Sequence, residues 1–254
     1  MILVLLHEIA KTGESIVQSA VDLSLKLRKK IGILYFVDSE NKTEETKEEI
    51  KKTFSLDEAG IFVQTGKLAD LSVFCESKEA SFLLMQLTEN KTREIQAQLN
   101  ACRSLRIPYI LFKKSFGELA LNKVLVPVTF LEEEVEKAQF ASAFGRFYGS
   151  EITLLQANDY GSKAAVTVEK MKNLFEKFNL NYKIEKAKTD SFKLEGEAVQ
   201  KAEKEHFGIV LLSASREYGL DDIFFGPKER KLVKDSPFPI LLVNPRGDLY
   251  ALCD

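Results

Sequence analysis

Apolar residues in this chain fall into two kinds of stretch, unbroken runs and runs with helical spacing. The unbroken runs include "ILVLL" (Ile2 to Leu6), "IGILYFV", "YILF", "KVLVPV", "EITLL", "GIVLL" and "PILLV". Their length and β-branched content predict strands buried on both faces. Between them, Ile16, Ala20, Leu23 and Leu27 recur at helical spacing, as do Phe140, Phe144 and Phe147, which predicts amphipathic helices with these side chains in the core. Strands alternating with helices predict an α/β fold, a parallel sheet covered by helices and joined by right-handed crossovers. In such sheets ligands sit beyond the C-terminal strand ends, at the switch in strand order. The stretches "VPVTF" and Ser213 to Arg230 are predicted to lie there.

The pattern is written twice. Taking Val4 with Val126 puts Leu6 on Val128 and His7 on Thr129. "IGILYFVD" then matches "EITLLQAND", and Gly66 to Leu87 lies without a gap over Phe192 to Ser213. "RIPYILFK" matches "PFPILLVN", each a proline before a final strand. A long internal period predicts two domains of one design. Their expected limits are residues 1–115 and 121–254, with the boundary in "KSFGELALN", Lys114 to Asn122.

Composition narrows the function classes. The 254 residues are 45% hydrophobic and 29% charged, and 36 basic side chains against 38 acidic ones give a net charge of -2. That balance provides no general attraction to nucleic acid or an anionic membrane. No apolar run approaches the roughly 18 residues that span a bilayer, and no basic residue precedes the first, so a cytoplasmic protein is expected. Cys75, Cys102 and Cys253 are far apart and lack metal-site spacing. With His7 and His206 the only histidines, a His-rich metal centre is excluded; all-carboxylate Mg or Ca sites are not excluded by that count, but no metal residue is assigned. "LEEEVEK" and "KTEETKEEIKK" mix acids with lysines at helical spacing and read as solvated helix faces. No nucleophile elbow, Walker loop or H-E-x-x-H motif is present, and no catalytic residue is assigned.

"KVLVPV", "SEITLLQA", "GIVLLSAS" and "SPFPILLV", in that order, resemble the universal stress protein family. The resemblance covers about Asn122 to Pro245 and, more weakly, the first half through Lys113. It implies two tandem flavodoxin-like or Rossmann-like domains of the adenine-nucleotide α-hydrolase type, each a five-stranded parallel sheet flanked by helices. It also implies an intramolecular pseudo-dimer of the two domains, allows a homodimer, and leaves a protein partner unnamed. The prolines around Ile240 to Val243 and before Tyr109 to Phe112 suit strands at a sheet margin, so these segments are the expected seam.

Many members of that family bind ATP through Gly, two residues, Gly, nine residues, Gly, then Ser or Thr. Glycines let backbone amides approach phosphate, and the hydroxyl caps the next helix. Laid on this chain, the pattern places Ser213, Arg216 and Gly226 on the three glycines and Pro227 on the hydroxyl residue. The family's adenine-contacting Asp falls on Thr129, beside Val128, in the second half and on His7 in the first. "MQLTENKTREIQAQLNACRSLRIP", the matching stretch of the first half, contains no glycine. Arg216 fills space that phosphate would need, and Pro227 removes an amide donor together with the cap. Losing two or three such contacts weakens binding by roughly two to four orders of magnitude.

The expected reading is a non-catalytic stress-response or interaction module with a degenerate nucleotide motif and no cofactor. Two rivals stay open: a nucleotide-binding, weakly hydrolysing protein in which Arg216 compensates for lost amides, and a sensor of another small anion. Thr129 is expected to cap the helix that begins near Leu131, and His7 to be a hydrogen-bonded histidine.

Overall fold

A computed structural model describes residues 1–54, 60–214 and 228–245. The chain divides into two compact units, Met1–Glu118 and Leu119–Asp254. No described helix is long and apolar enough to cross a membrane.

The first unit contains β1 (Ile2–Leu6), α1 (Glu14–Leu27), β2 (Ile31–Val37), α2 (Thr43–Phe54), β3 (Gly60–Thr65), α3 (Leu71–Ser77), β4 (Phe82–Leu87), α4 (Thr92–Cys102) and β5 (Tyr109–Lys113). The second contains β6 (Lys123–Val128), α5 (Glu136–Tyr148), β7 (Glu151–Gln156), α6 (Lys163–Lys177), β8 (Tyr182–Lys186), α7 (Leu194–Glu205), β9 (Ile209–Ser213), α8 (Lys228–Asp235) and β10 (Ile240–Val243).

Strand order in the first unit is β3-β2-β1-β4-β5, and in the second β10-β9-β6-β7-β8. The pairs within each unit are parallel. This is the order of the Rossmann half-domain, with its switch between the first and fourth strands, and not the 2-1-3-4-5 order of the flavodoxin type. The central strands are dry: β1 is buried along its whole length, and Val124, Leu125, Val126 and Val128 of β6 are fully buried. The outer strand β8 is largely exposed and carries ion pairs from Lys183 to Glu151 and Glu185 and from Lys201 to Glu185.

Helix burial follows the apolar spacing only in part. Ile16, Ala20, Leu23 and Phe144 are buried as expected, whereas Leu27 and Phe140 are half-buried and Phe147 is exposed. Two glycines have identifiable tasks. Gly149 ends α5 in the left-handed region, with φ 67°, and its N–H donates to the carbonyl of Phe144. At Gly208, just before β9, a Cβ would stand 1.6 Å from the carbonyl oxygen of Ala120, so only glycine fits that approach.

The strand register also corrects the gapless repeat. Ile2 pairs with Phe82 and Val124 with Ile209. With Val4 taken as Val126, Gln86 and not Leu87 therefore occupies the place of Ser213.

Candidate functional site

In the second unit, β6 pairs with β9 at Val124–Ile209 and Leu125–Val210. Pro127 has no N–H with which to extend that ladder. Continuing the register brings Val128 level with Ser213, so these two residues and Thr129 mark the end of the crevice at the switch point. Val128, Thr129 and Ser213 are all buried. Arg216, Gly226 and Pro227 lie outside the described residues.

Two side chains not anticipated from sequence are packed into this crevice. A short helical turn, Glu132–Val135, leads into α5, and Glu134 and Lys137 face each other three residues apart. Their side chains are 2% and 1% exposed, and Lys137 Nζ lies 2.5 Å from Glu134 Oε2. The same ammonium donates to the carbonyl of Pro127 at 2.6 Å. Ser213 Oγ donates to Glu134 Oε1 at 2.9 Å, and the Thr129 N–H to Glu134 Oε2 at 3.3 Å. One buried ion pair thus occupies the β6–β9 crevice and engages the Ser213 hydroxyl and the backbone of Thr129. "LEEEVEK" is therefore not the solvated face its charge pattern predicts: Glu134, Glu136 and Lys137 are buried. The reason is local, since the turn after β6 carries them over the strand ends. "KTEETKEEIKK", by contrast, buries Ile50 alone.

Thr129 does not cap the following helix in the expected way. Its hydroxyl accepts from the N–H of Leu131, two residues on, at 3.3 Å, which is a turn before the helical residues begin.

The first unit fills its crevice differently. Gln86 on β4 is 3% exposed. Its Oε1 accepts from the N–H of His7 at 2.7 Å and of Glu8 at 3.0 Å. Its Nε2 donates to the Glu8 carbonyl at 2.9 Å and to Thr12 Oγ1 at 3.0 Å. Gln98 on α4 steadies the strand beneath by donating to the Gln86 carbonyl at 2.8 Å. Beside Gln86, the space bounded by Gly13, Ile16, Phe112 and Lys113 is about 10 Å³, room for one water at most. The signal for Gln86 in the sequence was a polar residue inside an otherwise apolar strand, "FLLMQL".

His7 therefore contributes its backbone, not its imidazole. Its Nε2 is buried without a hydrogen-bond partner among the described residues, contrary to the expected hydrogen-bonded histidine. Burial lowers its pKa, against the opposing pull of Glu94 and Glu8. The folded protein thus holds His7 neutral below the usual histidine range. The stability this gives is present above the unfolded value, about 6.5, and is lost as pH falls through the depressed folded value. Replacing His7 by Leu is expected to lessen the fall in melting temperature between pH 7.5 and pH 5. Melting curves at both pH values check this, and equal falls in the two proteins would refute it.

A second pair of charges joins α7 to α8. Glu195 on α7 is buried and accepts from Lys228 Nζ on α8 at 2.8 Å. Burial raises the Glu195 pKa in spite of Lys228. Lys228 extends further toward water; burial alone would lower its pKa, but the neighbouring Glu195 carboxylate raises it. No cluster among the described residues has the makings of a metal site.

Two parallel α/β units, each with its switch between the first and fourth strands and that switch filled by side chains, define the class of fold. A universal stress protein from Archaeoglobus fulgidus has the same fold, with a TM-score of 0.71 at 14% identity over 97% of each chain. A putative universal stress protein from Pseudomonas aeruginosa superposes with a TM-score of 0.63 at 11% identity, over 99% of this chain and 95% of that one. A functionally unknown protein from Pseudomonas aeruginosa gives 0.64 at 10% identity, over 98% of this chain and 94% of its own. No protein-family model matches the chain, and no curated protein matches it in sequence.

Proposed function

We propose that the chain is a tandem universal-stress-type protein that acts as a non-catalytic stress-response or interaction module and does not hold ATP in that family's usual way. One observation carries this reading: in each unit the crevice at the strand switch is occupied by the chain's own side chains. Gln86 uses the amides of His7 and Glu8 in the first unit, and Glu134 uses that of Thr129 in the second. A nucleotide entering either crevice would have to displace hydrogen bonds that are already made, and in the second it would have to break a buried ion pair. The altered motif at Arg216 and Pro227 points the same way. The two units are proposed to associate as a pseudo-dimer through their last strands, β5 and β10.

The test is a thermal melt of the full chain with millimolar Mg-ATP, compared with Mg-tripolyphosphate. A ligand at a hundredfold excess over its dissociation constant adds about 2.7 kcal/mol, a shift of roughly 5 to 10 °C for a chain of this size. No shift beyond that of tripolyphosphate is expected. An adenosine-dependent shift of that size would replace this reading with the nucleotide-binding one.

A further inference from the structure

We propose that the cleft between the starts of α7 and α8 binds a small organic phosphate, with the phosphate held by lysines and an apolar ring against Phe192. This cleft shares no residue with the β6–β9 crevice. Its volume is about 550 Å³, within the ordinary range for small-molecule sites, and Lys188, Thr189, Phe192, Lys193, Lys228 and Lys231 line it.

The charge balance selects an anion. Four lysines and two glutamates line the concavity; one lysine, Lys228, is paired, and both carboxylates are engaged. Glu195 is committed to Lys228. Glu197 accepts from the backbone N–H groups of Lys188 and Thr189, at 2.8 Å each, and from the Thr189 hydroxyl at 2.6 Å. Lys188, Lys193 and Lys231 form no ion pair with any described residue. A concave wall of one sign, backed by low-dielectric protein, focuses its field on the space it encloses. The Glu197 bonds also hold the Lys188–Thr189 segment in place, so part of the wall is organised before any ligand arrives.

The lip of the cleft is aromatic. Phe192 is 87% exposed, and its ring packs edge-on against that of Phe130 at 6.2 Å. The Phe130 N–H donates to Ser191 Oγ, and Ser191 is held in turn by Asp159 through its N–H and its hydroxyl. These bonds fix the segment that presents Phe192 beside the lysines. A ligand with phosphate at one end and a ring at the other matches this arrangement.

Phenyl phosphate is the probe, titrated calorimetrically into the full chain. Binding is expected, and the Lys193→Gln/Lys231→Gln double variant, which removes two charge-assisted contacts, is expected to weaken it at least about tenfold. Phe192→Ala is also expected to weaken it. All three positions are exposed, so the variants should fold, and circular dichroism confirms that they do. The absence of heat up to ~10 mM probe, or unchanged affinity in either variant, would overturn the proposal. The ATP melt is repeated on the Lys193→Gln/Lys231→Gln variant, so that an adenosine-dependent shift that disappears there belongs to this cleft and one that persists belongs to the nucleotide-binding reading of the β6–β9 crevice.

Discussion

Replacing Lys137 by Met is expected to lower the unfolding free energy by about 3 to 5 kcal/mol, the largest effect of any single change considered. Lys137 is 1% exposed, and its ammonium stands between Glu134 Oε2 and the Pro127 carbonyl. Methionine keeps most of the volume but leaves the Glu134 carboxylate buried with, among the described residues, only the Ser213 hydroxyl and the Thr129 amide as donors. The cost is that of an uncompensated charge, so removing the charge as well should recover much of it. The Glu134→Gln/Lys137→Met double variant is therefore expected to be more stable than Lys137→Met alone. Urea unfolding of the three proteins measures both numbers. If Lys137→Met is no more harmful than Lys172→Met, which breaks the surface pair with Glu169, the ion pair has no structural role in the crevice.

The second large effect is expected at Gln86. Leucine there keeps the bulk but removes one acceptor shared by two backbone N–H groups and two donor contacts. Each buried polar group left unsatisfied costs about 1 to 3 kcal/mol. The neighbouring loop can relax toward water and recover part of this, so a loss of about 2 to 4 kcal/mol is expected for Gln86→Leu. A loss under about 1 kcal/mol in urea unfolding would mean that the loop after β1 is held by something else.

How much could be read from the residues differs between fold and site. The strands were legible because a parallel sheet buries both faces, and continuous runs such as "GIVLL" have few other uses in a chain of this composition. His7 and Thr129 directly follow the last residues of β1 and β6, and Ser213 ends β9. The contents of the crevices were not legible. Glu and Lys three residues apart look the same on a solvated helix as in a buried pair, because the difference lies in what covers them. At Lys137 the cover comes from the strand ends around Pro127 and Ser213, and spacing within one helix carries no trace of that. The off-by-one in the repeat has a similar origin. A gapless comparison cannot register that α3 spans Leu71–Ser77 whereas α7 spans Leu194–Glu205, and hydrogen-bonded register fixes the strand that follows.

The charged strand β8 bears on how this protein behaves when crowded. Lys183, Glu185 and the Lys201 that reaches Glu185 set alternating charges along the outermost described strand of the second unit. Another extended segment laid beside β8 would meet those side chains and would have to strip their water or break their pairs. That margin of the sheet is thus a poor template for adding strands. Intermolecular β-aggregation seeded there is disfavoured by the same lysines and glutamates that make β8 the least apolar strand of its unit.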